Sequence, residues 1–413
     1  MEFNDQLEAL ANLTVRVGNN LQPGQRLLVR APLEAAPLVR LVTRAAYEAG
    51  ARLVDVLWSD DGLLIERLRH SRSEFMTEVS EVVFGAQDAV VNNGDAYLAI
   101  IANDPGALEA EDSERISTMM RASGERGKAN LEAFGAGAVN WCVIACAVPK
   151  WARRVFPDLS EDEAMKRLWS AILTATRADQ PDPVSAWQSH LGSLEARRDF
   201  LNAQRLTALE FKAPGTDLRI ELPGTHRWQG GSVHTKSGTR YVPNMPTDEI
   251  FTCPQREGVS GTVRASKPLG YSGKIIEGIN MVFKDGRAIT ATATANEDAL
   301  RRLLETDEGA ARLGEVALVA ASSPVARTGL LFQETLFDEN AACHIAQGRA
   351  YQNTLENGDS MSKEDFRAAG GNDSQVHVDW MIGSTEMQVG GVRPNGSRMA
   401  LLENGEWAFS AEG

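Results

Sequence analysis

Apolar residues at helical spacing alternate with short apolar runs through the first half of the chain. Leu7, Leu10, Leu13 and Val17 recur every three or four residues, which predicts a helix over 6–17. Residues 26–30 read as a short strand, 34–48 as a helix stopped at Gly50, and the Val- and Leu-rich 52–58 as the next strand. Strand, helix, strand is a βαβ unit, which needs a parallel, buried sheet. Further strands are predicted at 96–102 and 139–145, with helices over 63–82, 115–129, 162–175 and 187–206. Past Leu206 the period changes. Leu218-Arg219-Ile220-Glu221-Leu222 alternates, 276–294 reads as a hairpin closed at Asp285-Gly286, and 315–321 as a strand. Asn296 is a candidate N-cap for a helix through 304. The expected fold is an α/β N-terminal domain with a largely parallel sheet (1–206), then a mixed α+β, mostly antiparallel, C-terminal domain (207–413).

The same alternation exposes candidate chemistry. In Val376-His377-Val378-Asp379-Trp380, an imidazole and a carboxylate share one side of a half-buried strand, and the apolar residues take the other. His and Asp facing one way can grip one metal ion. Asp338-Glu339-Asn340-Ala341-Ala342-Cys343-His344 supplies a second carboxylate–imidazole pair. Residues 340–349 read as helical, which would put His344 and Tyr351 two turns apart on one face. Glu249 follows a proline-stiffened segment, and Glu315 opens a strand after Gly314. Four carboxylates and two imidazoles carry four negative charges, which two divalent cations would balance.

Other motifs are weaker. Nothing resembles a Gly-rich dinucleotide loop, a Walker A sequence or a G-x-S-x-G elbow, so the α/β half reads as scaffold or as a wall of a substrate channel. Ser59-Asp60-Asp61 reads as a helix N-cap with an acidic first turn, and Cys343 as packing rather than a nucleophile. His70, His190, His226 and His234 are isolated. With 43% hydrophobic residues in 413, there is ample material for two cored domains. The net charge of −14 argues against nonspecific nucleic-acid binding. No apolar run reaches the ~18 residues of a membrane span. The acidic start lacks the pattern of a signal peptide, and four cysteines make no disulfide framework, so a cytoplasmic location is expected.

Several long segments resemble the aminopeptidase T family of metallo-aminopeptidases. In the first half they include Val17-Gly18-Asn19-Asn20-Leu21-Gln22-Pro23-Gly24-Gln25, Trp58-Ser59-Asp60-Asp61 and Phe156-Pro157-Asp158-Leu159. In the second half they are Asn244-Met245-Pro246-Thr247-Asp248-Glu249-Ile250, Leu313-Gly314-Glu315-Val316, Thr335-Leu336-Phe337-Asp338-Glu339-Asn340 and Val376-His377-Val378-Asp379-Trp380. The resemblance implies hydrolysis of the N-terminal residue from peptides by a water activated between two divalent ions, whether zinc, cobalt, manganese or magnesium. Position by position it implies Glu249, Glu315, Glu339, His344, His377 and Asp379 as metal ligands, with Glu315 bridging both ions. Glu339 is alternatively a base beside the ions. Tyr351 resembles the family's active-site tyrosine, and a homodimer acting on peptides with a free N-terminus is implied. Two departures stand out: Cys253 replaces a usual Ala or Ser, and a longer stretch at 361–372 bears on substrate access. The competing readings are another two-metal hydrolase such as a phosphoesterase, with Lys236 and Arg240 as phosphate binders, and a metal-binding homologue without activity.

Overall fold

The computed structural model describes residues 2–102 and 104–410. Contacts divide the chain into two compact units, Met1–Ser189 with Ser232–Pro246, and His190–Gly231 with Thr247–Gly413. A single cut after 206 is the simplest division of the sequence; the contacts group 190–206 with the second unit and return 232–246 to the first.

The first unit is built on four parallel strands, β1 (Arg26–Pro32), β2 (Leu53–Ser59), β3 (Ala96–Ile101) and β4 (Trp141–Ala145), in the order β2-β1-β3-β4. Leu27, Val29, Leu98 and Ile144 are buried, as a sheet covered by crossover helices demands. The predicted helix over 63–82 is two helices, Asp61–His70 and Glu81–Asn93, separated by extended backbone at Ser71. The break follows from capping: Ser80 accepts a hydrogen bond from the Val83 amide and starts the second helix afresh. Asp60 caps the first in the same way, accepting from Leu63 N, so Ser59-Asp60-Asp61 is a helix start. Helix Pro183–Gln204 then carries the chain into the second unit.

The second unit begins with the hairpin β5 (Ala208–Ala213) and β6 (Thr216–Glu221). The short pair β7 (Val233–His234) and β8 (Arg240–Tyr241) belongs to the segment returned to the first unit. The chain continues through β9 (Ile250–Thr252), β10 (Val259–Arg264), the small hairpin β11 (Leu269–Tyr271) and β12 (Lys274–Ile276), β13 (Asn280–Lys284) and β14 (Arg287–Thr292). It ends with β15 (Leu313–Leu318), β16 (His344–Gly348), β17 (His377–Met381), β18 (Gln388–Val392), β19 (Arg398–Glu403) and β20 (Glu406–Trp407). Among the described residues these make an eight-stranded sheet, β14-β13-β10-β6-β5-β18-β19-β20, and a four-stranded one, β17-β16-β15-β9, both antiparallel. Asp285 and Gly286 close the β13–β14 hairpin with φ of 50° and 76°, the left-handed pair a two-residue turn requires. Phe211, Ile220, Phe283, Ile345 and Trp380 lie in one apolar cluster of this unit. No helix of the described residues is long and apolar enough to cross a membrane.

Candidate metal centre

The four-stranded sheet builds the site by register. Antiparallel partners point to the same face of a sheet. His344 pairs with Met381, Ala346 with Asp379 and Gly348 with His377. Glu315 pairs with Ala346, Ala317 with His344, and Ala317 also with Phe251. Glu249, at the entry to β9, is two residues from Phe251. Glu249, Glu315, His344, His377 and Asp379 therefore share one face. Ala346 and Ala317, small residues among them, leave room for the longer side chains. The opposite face carries Ile250, Val316, Leu318, Ile345 and Trp380, all in the apolar core. One sheet thus anchors by its oily side and offers its polar side as a site.

On that face Glu315 is central. Its Oε1 lies 3.4 Å from His344 Nε2, and its Oε2 lies 3.8 Å from His377 Nε2. His344 Nε2 is also 3.1 Å from Glu249 Oε2, and His377 Nε2 is 3.4 Å from Asp379 Oδ1. Two groups result, Glu249–Glu315–His344 and Glu315–His377–Asp379, each with its potential ligand atoms within 4.8 Å of one another. Glu315 is common to both.

The chemistry of these atoms fits divalent cations. Each imidazole uses Nδ1 on a backbone carbonyl, His344 on Ala342 O (3.2 Å) and His377 on Arg349 O (2.6 Å), which leaves Nε2 turned to the carboxylates. Glu249 Oε2, His344 Nε2 and Asp379 Oδ1 are buried without an aligned hydrogen bond, close as their charge contacts are. Buried polar atoms without partners are costly, and a cation in each group would satisfy them.

Electrostatics point the same way. Burial, with Asp379 and Glu249 nearby, outweighs the His344 contact and pushes the Glu315 carboxyl up to about 7. Burial and then Glu249 and Asp379 hold the Glu339 carboxyl well above its ordinary range. Burial favours neutral histidine, yet the surrounding carboxylates reverse it: His377 is raised to about 9, mainly by Asp379, and His344 is raised by Glu249 and Glu315. Asp379 goes down, because His377 outweighs its burial. Carboxylates buried this close together disfavour one another's charge, and divalent cations would relieve that repulsion.

The remaining predicted residues fall in different places. Glu339 begins the turn Glu339–Ala341 and stands outside both three-residue groups, near enough to feel Glu249 and Asp379. The helix expected over 340–349 is not there: 344–348 is β16, paired on both sides. Its alanines suit a helix, but two flanking strands supply ladder partners that outweigh local propensity. Tyr351 therefore does not share a helix face with His344. It follows Gly348, the positive-φ last residue of β16, and its ring sits 4.7 Å from that of His377 and 6.1 Å from that of Phe251. Desolvation of the phenol, with Glu315, Asp379 and Glu339, holds its pKa well above 10, although the residue is 42% exposed.

Cys343 is packing material, buried, with its thiol raised to about 11 by burial and donating to Val319 O. Burial likewise pushes Cys253 up to about 12. His70 is exposed beside Glu66, His226 is buried on Pro223 O, and His190 holds Thr247 O at 2.7 Å. Lys236 and Arg240 fold with the first unit, whereas Glu249 belongs to the second. Phe251 and the carbonyls of Ala342 and Arg349 were not singled out by residue type. For Phe251 the signal was its two-residue spacing from Glu249; for the carbonyls there was none, since they depend on backbone path.

A family profile described as thermophilic metalloprotease (M29) matches residues 3–407. Aminopeptidase T of Thermus thermophilus is 48% identical over 405 residues, covering 98% of this chain and 99% of its own. Aminopeptidase 2 of Geobacillus stearothermophilus is 44% identical over 407 residues, covering 98% of each. The solved structure of wild-type AmpT from Thermus thermophilus superposes with a TM-score of 0.94 at 46% identity, covering 98% of this chain and all of that one. Matched along nearly its whole length in sequence and in fold, the chain belongs to the M29 family of thermophilic metalloproteases.

Proposed function

We propose that this metallopeptidase is an aminopeptidase with a two-ion centre, in which Glu249, Glu315 and His344 hold one divalent ion and Glu315, His377 and Asp379 the other. The observation that carries the reading is Glu315, whose two oxygens face different imidazoles, so that one carboxylate belongs to two ligand groups. The names aminopeptidase T and aminopeptidase 2, carried by relatives matched along their full length, support the exopeptidase reading. Bound there, divalent ions would supply Lewis acidity and a water acidified toward neutral pH.

The chain's own groups divide the remaining work. Tyr351 keeps its phenolic proton at neutral pH and donates it as a hydrogen bond to the carbonyl oxygen of the scissile bond, where negative charge develops. Glu339 either completes the ligand set or takes the proton released by the attacking water. A carboxylate of the cluster receives the free α-amino group, which restricts cleavage to the first residue. Phe251 packs edge-on against Tyr351 and keeps its ring on the site. A homodimer and a cytoplasmic location are proposed from the family resemblance and from the cysteine usage.

The test is hydrolysis of aminoacyl-p-nitroanilides by chelator-stripped protein, with zinc, cobalt, manganese or magnesium returned singly. Metal-restored release from free-amine substrates, and none from their N-acetylated forms, is expected. No release with any ion from folded, metal-loaded protein would overturn the reading.

A further inference from the structure

The metal-binding carboxylates come from segments far apart in the chain, and their spacing has to be held by something other than the metal. Glu249 and Glu339 are 90 residues apart. Between them, in space, lies Asn340, fully buried. Its Oδ1 accepts the Asp248 amide at 2.6 Å, and its Nδ2 donates to Leu336 O at 2.9 Å. Its own carbonyl accepts Ser323 Oγ at 2.8 Å, and that hydroxyl also caps the short helix Pro324–Arg327 through Ala326 N. The amide orientation is settled by its neighbours, since a backbone N–H faces one end and a backbone carbonyl the other.

We infer that Asn340 is a positioning residue for the metal centre: it ties the peptide unit leading into Glu249 to the turn that carries Glu339, and so sets their spacing before a metal arrives. The inference rests on the reading of Glu249 as a ligand. The side chain must accept at one end and donate at the other across a short gap. Leu or Ala would break both hydrogen bonds and, with them, the tie between the two segments. Nothing about Asn340 is catalytic. Its side-chain hydrogen bonds go to backbone groups, Asp248 N and Leu336 O, and it acts through the backbone on either side.

Residues that orient metal ligands typically contribute about 10–100-fold in metal affinity. The test is calorimetric titration of chelator-stripped protein with zinc chloride at 25 °C, with thermal melts of the metal-free protein in parallel. Asn340→Ala removes both hydrogen bonds. Asn340→Ser removes the bridge but leaves a hydroxyl for one buried group, so that a folded variant is available. Leu300→Ala, in the apolar core of the same unit and on helix Glu297–Leu304 rather than on a ligand-bearing strand, controls for general loss of stability. The expected result is zinc affinity at least about tenfold weaker in the folded Asn340 variants and unchanged in Leu300→Ala. Wild-type affinity in a folded Asn340 variant, or an equal loss in Leu300→Ala, would overturn the inference. Failure of wild-type protein to bind zinc at all would instead count against the metal reading itself.

Discussion

A single carboxylate explains most of the site's logic. Glu315 is buried, faces two imidazoles and is pushed up to about 7 by burial and by its acidic neighbours. Glu315→Gln keeps its shape and removes its charge. We expect bound metal to fall below that of the wild type and hydrolysis to drop by at least about 100-fold; wild-type metal content by elemental analysis, with a wild-type rate, would exclude it from the centre. Tyr351→Phe tests a different role. It should retain metal and lower kcat by about 10²-fold, the usual effect of losing one donor to a developing oxyanion. An unchanged kcat would show that the phenol does not act. The His377–Asp379 pair was legible in the sequence, since alternation alone puts both on one side of a strand. Contact between Glu315 and both histidines was not legible, because it depends on pairing between β15, β16 and β17.

At the scale of elements, the strand β16 matters most. Its Ala-rich surroundings read as helix, yet it lies between two strands and presents His344 to the site. Its last residue, Gly348, has φ of +102°, and a Cβ there would stand 2.1 Å from Val376 O. Gly348→Ala must therefore part β16 from β17 just where His377 pairs. Urea unfolding should show a loss of about 1–3 kcal/mol, and stability equal to wild type would mean the strand end relaxes freely. Asp307 secures the approach to β17 from the other side. Its carboxylate accepts from Gln375 N (2.7 Å), Ser374 Oγ (2.8 Å) and Ala310 N (2.8 Å). Burial alone would raise its pKa, but these hydrogen bonds outweigh it and bring it below 3.8. A carboxyl lowered on folding stabilises the fold fully above its unfolded value, and that contribution is lost as pH falls through the folded one. The stability gap between wild type and Asp307→Asn should thus be flat near neutral pH and shrink in acid below 3.8. A gap that widens in acid would contradict this assignment.

At the scale of the molecule, the second unit pairs a large apolar cluster with a buried acidic site on one sheet. The core stabilises the unit, whereas carboxylates buried side by side work against it. A ligand that binds only the folded state stabilises it by mass action, about 2.7 kcal/mol at a free concentration of 100 times Kd. Divalent metal should raise the melting temperature and a chelator should lower it again. A melting temperature indifferent to both would mean that no metal binds the folded chain.

The order of elements, the change from helical to alternating pattern near residue 206 and the candidate ligand types were all determined by the sequence. They are local properties, carried by spacing and residue chemistry along one stretch of chain. Where neighbouring strands competed with local preference, as at 344–348, the sequence alone misled. The tertiary structure decided which residues meet. Glu249, Glu315, His344 and the His377–Asp379 pair share a face because hydrogen-bond register between strands aligns them, and register is set by which apolar faces pack together. The Arg349 carbonyl that orients His377, and Asn340 between Glu249 and Glu339, depend on contacts between segments distant in sequence. No pattern within one segment can encode them.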